Sequence, residues 1–205
     1  MYLVDHGFFR AVYNNLYALP GGLYRSSQPS PAQIRRYHRR FGLRTIVNLR
    51  GAHDLGAYAL EARACRELGV ALVDHPMKSR DVPSRELIHA TRALIDSIEY
   101  PALVHCKSGA DRVGLFSVLY CHFRVGQPIE VAIRQLHWRY GHVAAAKTGR
   151  LDQLFASYLR EARERPIAFI EWVDTVYDPD LVRSEHARVE RGYGDWLIDT
   201  VLNRE

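Results

Sequence analysis

Residues 102–114 read ALVHCKSGADRVG. An apolar run ends in a short polar loop containing Gly109, and residues 113–123, VGLFSVLYCHF, continue as an apolar segment without a charged side chain. The pattern predicts a buried strand, a loop, and a central helix covered on every side. A loop that ends at a helix N-terminus aims backbone N–H groups and the positive end of the helix dipole at one point, which makes an anion site. Cys106 opens this loop, where the helix dipole and nearby cations favour a thiolate. Arg112 closes it, and a planar guanidinium can hold two oxygens of one phosphate. A nucleophile and a clamp for an oxyanion therefore bracket one short loop.

Outward from this stretch, short β-branched runs alternate with helical patterns, which predicts an α/β architecture with a largely parallel sheet. The strand candidates are Leu23-Tyr24-Arg25, residues 45–49 (TIVNL), Ala71-Leu72-Val73 and residues 102–105. Ser30, Pro31 and Gln33 supply an N-cap, a proline at the first helical position and the partner of a capping box. Ile34, Tyr37 and Phe41 then share a face. A helix from about Leu55 to Leu68 stops at Gly69. Leu87, Thr91, Leu94, Ile95 and Ile98 form an amphipathic stripe, as do Leu151, Leu154, Phe155, Tyr158, Leu159 and Ala162. Ile129, Ile133 and Leu136 form a shorter one. The tail from Pro166, rich in Trp and Tyr, is expected to be helical and to pack onto the domain. The expected fold is α/β, a central, mostly parallel sheet of four to five strands flanked by helices, with a helical C-terminal extension.

Composition narrows the class. The chain has 205 residues, 47% hydrophobic and 25% charged, which excludes wholesale disorder and makes a disulfide or metal staple unnecessary. A net charge of +5 suggests an anionic partner without choosing among nucleic acid, a phosphorylated small molecule and an acidic membrane. Cys65, Cys106 and Cys121 are odd in number and too few for a disulfide framework, which points to a reducing compartment. Asp5 interrupts the position where a signal peptide would begin its apolar core. The longest apolar run, 113–123, is shorter than the roughly 20 residues that span a bilayer. A cytoplasmic protein is expected.

The segment HCKSGADR, residues 105–112, resembles the signature of the cysteine-dependent protein tyrosine phosphatase superfamily: His-Cys, five residues, then Arg, with a glycine in the loop. LYRSSQPSPAQ at 23–33 and GLRTIVNLRG at 42–51 look like the opening of small, atypical dual-specificity phosphatases of bacteria and fungi. The resemblance implies a catalytic domain over residues 1–165 and an extension over 166–205. It implies a metal-independent hydrolase without a cofactor, in which Cys106 forms a phosphocysteine and Arg112 binds the phosphate oxygens. His105, Lys107, Ser108, Gly109 and Ala110 would shape the substrate loop, with His105 orienting it. The resemblance also implies an Asp general acid on a loop ahead of the Cys. Asp81, in SRDVPS, is the first choice, with Asp74 as a less mobile alternative. Asp111, immediately before Arg112, is the rival, since that position resembles myotubularin-like lipid phosphatases. One departure is Val113, where many relatives carry a Ser or Thr that stabilises the departing thiolate; Ser108 is the available hydroxyl.

The expected partner is a phosphorylated protein or small phosphorylated substrate. Phosphotyrosine or mixed phosphoprotein substrates come first, with a lipid, a phosphoinositide or an RNA 5′ end as the alternative and a phosphate-binding pseudophosphatase as a third. A rhodanese-like sulfurtransferase also uses a Cys loop, but that loop normally differs in length and lacks the Gly-x-x-Arg ending. Nucleic acid is not the expected partner. RRYHRR at 35–40 leaves a peripheral contact with acidic lipid open, but its helical spacing reads first as a solvated face. Arg50 and Arg80 are candidates for the site rim. No pair among the ten histidines shows zinc-ligand spacing, so no metal is expected. Cys65 and Cys121 read as core.

Overall fold

The structure, a computed structural model of the chain, describes residues 14–52, 56–79, 81–144 and 149–184. A five-stranded sheet has the order β1-β2-β5-β3-β4, from β1 (Tyr17–Leu19), β2 (Leu23–Ser27), β3 (Thr45–Asn48), β4 (Ala71–Asp74) and β5 (Ala102–Cys106). β5 runs parallel to both β2 and β3, with Cys106 opposite Ser27 and His105 opposite Ser26 and Asn48. Among the described residues only the β1–β2 pair is antiparallel. Its turn is Pro20–Gly22, where Gly21 and Gly22 take φ of 77° and 86°. Three residues give β1 no readable alternation, and sequence analysis does not predict it.

The helices follow the punctuation of the chain. α1 (Pro31–Phe41) carries the capping box of Ser30 and Gln33, and buries Ile34 and Tyr37. Its arginines face outward, Arg35 reaching Glu67 at 2.8 Å. α2 (Gly56–Leu68) ends at Gly69, whose φ is +65°. α3 (Arg85–Ser97) is capped by Ser84. α4 (Asp111–Phe123) is buried continuously from Val113 to Cys121. α5 (Ile129–Ala132), α6 (Arg150–Glu164) and α7 (Phe169–Thr175) follow, with a further helical stretch over 179–184.

The amphipathic stripe at 129–136 does not run as one helix. It breaks into α5 and a 3-10 turn at Ile133–Gln135. The buried Arg25 guanidinium takes both the Gln135 carbonyl and its side-chain Oε1, which holds the chain out of helical continuation. Leu136 then packs over Gly114, where an added Cβ would lie 2.6 Å from its Cδ2.

Successive residues of a strand point to opposite faces. Ala102, Val104 and Cys106 join the larger core cluster with α3, α4, α6 and α7, whereas Leu103 joins Ile34, Tyr37, Ala64 and Cys65 of α1 and α2. Phe169, Trp172, Val173, Tyr177 and Val182, beyond Pro166, are buried in that larger cluster beside Phe155 and Tyr158. The expected N-terminal features through Tyr13, the rim candidate Arg80 and the tail beyond 184 lie outside the described residues. No described helix is long and apolar enough to cross a membrane.

Candidate active site

β5 delivers Cys106 to the end of the sheet, and the chain turns over the end of β2 into α4. Cys106 is 1% exposed, and its Sγ accepts from the Gly109 N–H at 3.2 Å. Gly109 has φ of +76°, and an added Cβ would sit 2.7 Å from the Ser26 carbonyl and the Ser27 nitrogen. Only glycine permits both the left-handed conformation and this approach to β2.

The carbonyls of the loop are held from outside it. The Gln28 N–H donates to the Lys107 oxygen at 3.5 Å, and Asn15 Nδ2 donates to the Ser108 oxygen at 3.0 Å. Arg25 Nη2 donates to the oxygens of Gly109 and Ala110 at 3.0 and 3.4 Å. In a trans peptide the N–H points opposite to the carbonyl before it. Four consecutive carbonyls drawn outward therefore turn the N–H groups of residues 108–111 toward the inside of the loop. There the Gly109 N–H meets Cys106, and the Ala110 N–H makes only a long contact of 3.4 Å with Ser108 Oγ. α4 begins with no side-chain cap, leaving its first N–H groups for an anion.

Arg112 reaches the Leu49 carbonyl with Nη1 at 3.4 Å, while its buried Nε has no hydrogen-bond partner among the described residues. An unsatisfied buried donor is costly, and an oxyanion in the loop would satisfy it. Val113 is fully buried, and as a valine it offers no hydroxyl at that position. The other thiols differ in kind. Burial pushes Cys65 up to about 12, helped by the Glu61 charge, and pushes Cys121 up to about 11. Both are core residues, as expected.

The loop rests on polar groups of which sequence analysis singles out His105 and Arg50 but not Arg25, Asn15, Gln28 or Glu61. Arg25 is fully buried with its guanidinium 3.8 Å over the Tyr140 ring; burial lowers it to about 10, so it stays charged at neutral pH. Asn15 bridges the loop to Tyr140, donating to both Ser108 and Tyr140 carbonyls. His105 Nε2 lies 2.6 Å from Glu61 Oε1, off the line of a straight hydrogen bond. Gln28 Nε2 donates to Glu61 Oε2 at 3.1 Å, and Gln28 Oε1 accepts from Arg50. A charged residue inside strand 23–25 and a carboxylate at helical spacing from Ala64 and Cys65 were the available signals.

The two candidate acids sit in different surroundings. Asp111 Oδ1 is 2.8 Å from His142 Nδ1, and Asp152 Oδ2 is 2.7 Å from His142 Nε2. Burial disfavours the charged imidazole, but the hydrogen bonds and charges of the two carboxylates outweigh it and raise His142 to about 9. Asp81 instead accepts from Arg183 Nε at 2.7 Å and lies 3.6 Å from Lys78 Nζ. It borders a cleft of about 200 Å³ lined by Pro76, Val82, Leu87, Leu115 and Arg183. Asp74 is taken by Asn48 Nδ2 and the Tyr58 hydroxyl.

Residues 10–121 match the model of a family described as the tyrosine phosphatase family. Among solved structures, P. aeruginosa TpbA is 23% identical, with a TM-score of 0.55, over 85% of this chain and 91% of its own. A variant of TpbA solved in complex with phosphotyrosine gives 22% and 0.51 over 84% and 90%. PTPMT1 gives 14% and 0.53 over 73% and 99%. These likenesses are likenesses of fold, and no curated protein matches the chain. The family model covers more than half of the sequence, so the chain belongs to the tyrosine phosphatase family and is a phosphatase.

Proposed function

We propose that the protein is a metal-independent phosphomonoester hydrolase of dual-specificity type, working through a phosphocysteine on Cys106 and acting on phosphotyrosine or mixed phosphoprotein substrates in the cytoplasm. The supporting observation is the loop itself: carbonyls drawn outward by Gln28, Asn15 and Arg25, with Cys106 and the unsatisfied Arg112 Nε at its ends. The Cys106 thiolate attacks phosphorus, the S–P bond forms, and the P–O bond to the leaving group breaks as Asp81 gives that oxygen its proton. Water then attacks phosphorus, Asp81 takes its proton, the S–P bond breaks, and phosphate and thiolate are restored. Arg112 and the N–H groups of Ser108, Gly109, Ala110 and Asp111 hold the phosphate oxygens, Lys107 adds a cation to the loop, and His105 orients it. Residues 1–165 form the catalytic domain and 166–205 an extension, of which Phe169, Trp172, Val173, Tyr177 and Val182 pack on that domain. Asp111 is a second reading for the acid, favoured by its place beside Arg112 at the first turn of α4.

The test is hydrolysis of p-nitrophenyl phosphate in EDTA by the wild type and by Cys106→Ser. The wild type is expected to turn over and the variant to be inactive. Activity that survives the substitution, or that EDTA removes, would overturn the mechanism. A panel of phosphotyrosine and phosphoserine peptides, a phosphoinositide and 5′-phosphorylated RNA sets the substrate class, and preference for the lipid or the RNA would overturn the phosphoprotein assignment.

A further inference from the structure

Glu61 is 1% exposed, yet it stands on the face of α2 that buries Ala64 and Cys65, where an aliphatic side chain would pack. A carboxyl group is costly to bury in that position, and a well-packed apolar replacement of both partners of such a buried polar pair is often neutral or stabilising. Stability therefore gives no reason for it. Its contacts do. Oε1 lies 2.6 Å from Nε2 of His105, the residue before Cys106, and Oε2 accepts from Gln28, whose N–H holds the Lys107 carbonyl after Cys106. His105 points to the α2 face of the sheet while Cys106 points to the α4 face. One carboxylate thus grips both sides of the Cys106 backbone from behind, and Arg50 closes the chain of contacts at Gln28.

We propose that Glu61 is a positioning residue for phosphoryl transfer, holding His105 and Gln28 so that the Cys106 thiol and the first loop carbonyl keep their reactive pose. The proposal rests on Cys106 being the nucleophile. Small displacements of a reacting group are expensive in rate, so loss of Glu61 should act on turnover more than on binding.

The experiment compares wild type, Glu61→Gln, Glu61→Leu and Glu61→Asp for thermal stability, for kcat and KM on p-nitrophenyl phosphate, and for the rate at which iodoacetamide alkylates Cys106. Glu61→Leu leaves His105 and Gln28 without their partner and is expected to lower Tm, and the protein that remains folded should lose about 10- to 100-fold in kcat with little change in KM. Glu61→Gln, equal in shape, should lose kcat as well, and Glu61→Asp should keep more of it than Glu61→Leu. Wild-type kcat in the Gln and Leu variants, a rise in KM alone, or a kcat loss matched by unfolding would overturn the proposal. Where the wild type shows no hydrolysis, the phosphatase mechanism fails by itself. Cys106 alkylation then decides the present point: a slower rate in Glu61→Gln and Glu61→Leu supports it, and an unchanged rate overturns it.

Discussion

Arg183 Nε donates to Asp81 Oδ1 at 2.7 Å, tying the loop ahead of α3 to the C-terminal extension. Tyr177 adds a hydrogen bond from its hydroxyl to the Pro83 carbonyl, and Arg85 answers with donors to the carbonyls of Asp174 and Tyr177. Partial burial raises Asp81, but the Arg183 hydrogen bond and charge, with Lys78, outweigh it and hold the carboxyl below its ordinary range. A proton donor must be protonated when the leaving group departs. Arg183→Gln should therefore move the alkaline limb of kcat/KM to higher pH and raise the rate at neutral pH severalfold. The same contact stabilises the fold above the unfolded carboxyl value of 3.8 and is lost as pH falls. An alkaline limb identical to that of the wild type would separate Asp81 from the acid role.

Asp81→Asn and Asp111→Asn assign the acid directly. General acid catalysis contributes about 10²- to 10⁴-fold where the leaving group is poor, and far less on an activated ester. Asp81→Asn should lose at least about 100-fold on a phosphotyrosine peptide and much less on p-nitrophenyl phosphate. Asp111→Asn should lose similar amounts on both substrates, because Asp111 pairs with His142 and the change disturbs the first turn of α4. The opposite pattern would move the acid to Asp111.

Much of this arrangement was legible because it is local. The run at 102–106, the glycine of the loop and the apolar helix after it lie side by side in the chain, as do Ser30, Gln33 and the helix they start. What was not legible is carried by contacts between distant positions. Arg25 meets Gln135 across 110 residues and Gly109 across 84, so neither the broken helix at 133 nor the brace behind the loop has a local sign. Asn15 meets Ser108 across 93 residues. His105 is legible as part of the loop signature, but Glu61 resembles an ordinary helix residue until the fold places it beside His105. The Asp81 loop reads correctly as a loop, but the arginine that holds it lies 102 residues further on.

Arg25→Lys tests the brace. A lysine keeps the charge but has a single ammonium in place of a planar fork. It cannot serve both the Gln135 carbonyl and those of Gly109 and Ala110, which leaves buried acceptors unpaired. The loss should be about 2–3 kcal/mol of stability, or roughly 5–10 °C in Tm for a chain of this size. Because the same contacts orient the loop N–H groups, kcat should fall by at least about tenfold in protein that remains folded. A stable, fully active Arg25→Lys would show that the loop holds its shape unaided.

His142 gives the stability of the protein a pH dependence of definite sign. It is 2% exposed and clamped by Asp111 and Asp152, which raise it to about 9 against burial. A group raised on folding stabilises the native state fully below its unfolded value of 6.5, and that stabilisation is lost as pH rises through about 9. The shift corresponds to about 3 kcal/mol. In chemical denaturation at a series of pH values, His142→Gln should be less stable than the wild type by about this amount near pH 6. The gap should narrow steadily on the alkaline side and largely close above about pH 9.5. A gap that stays constant across the range would mean that His142 contributes packing alone, and that the Asp111–His142–Asp152 contact carries no net charge interaction.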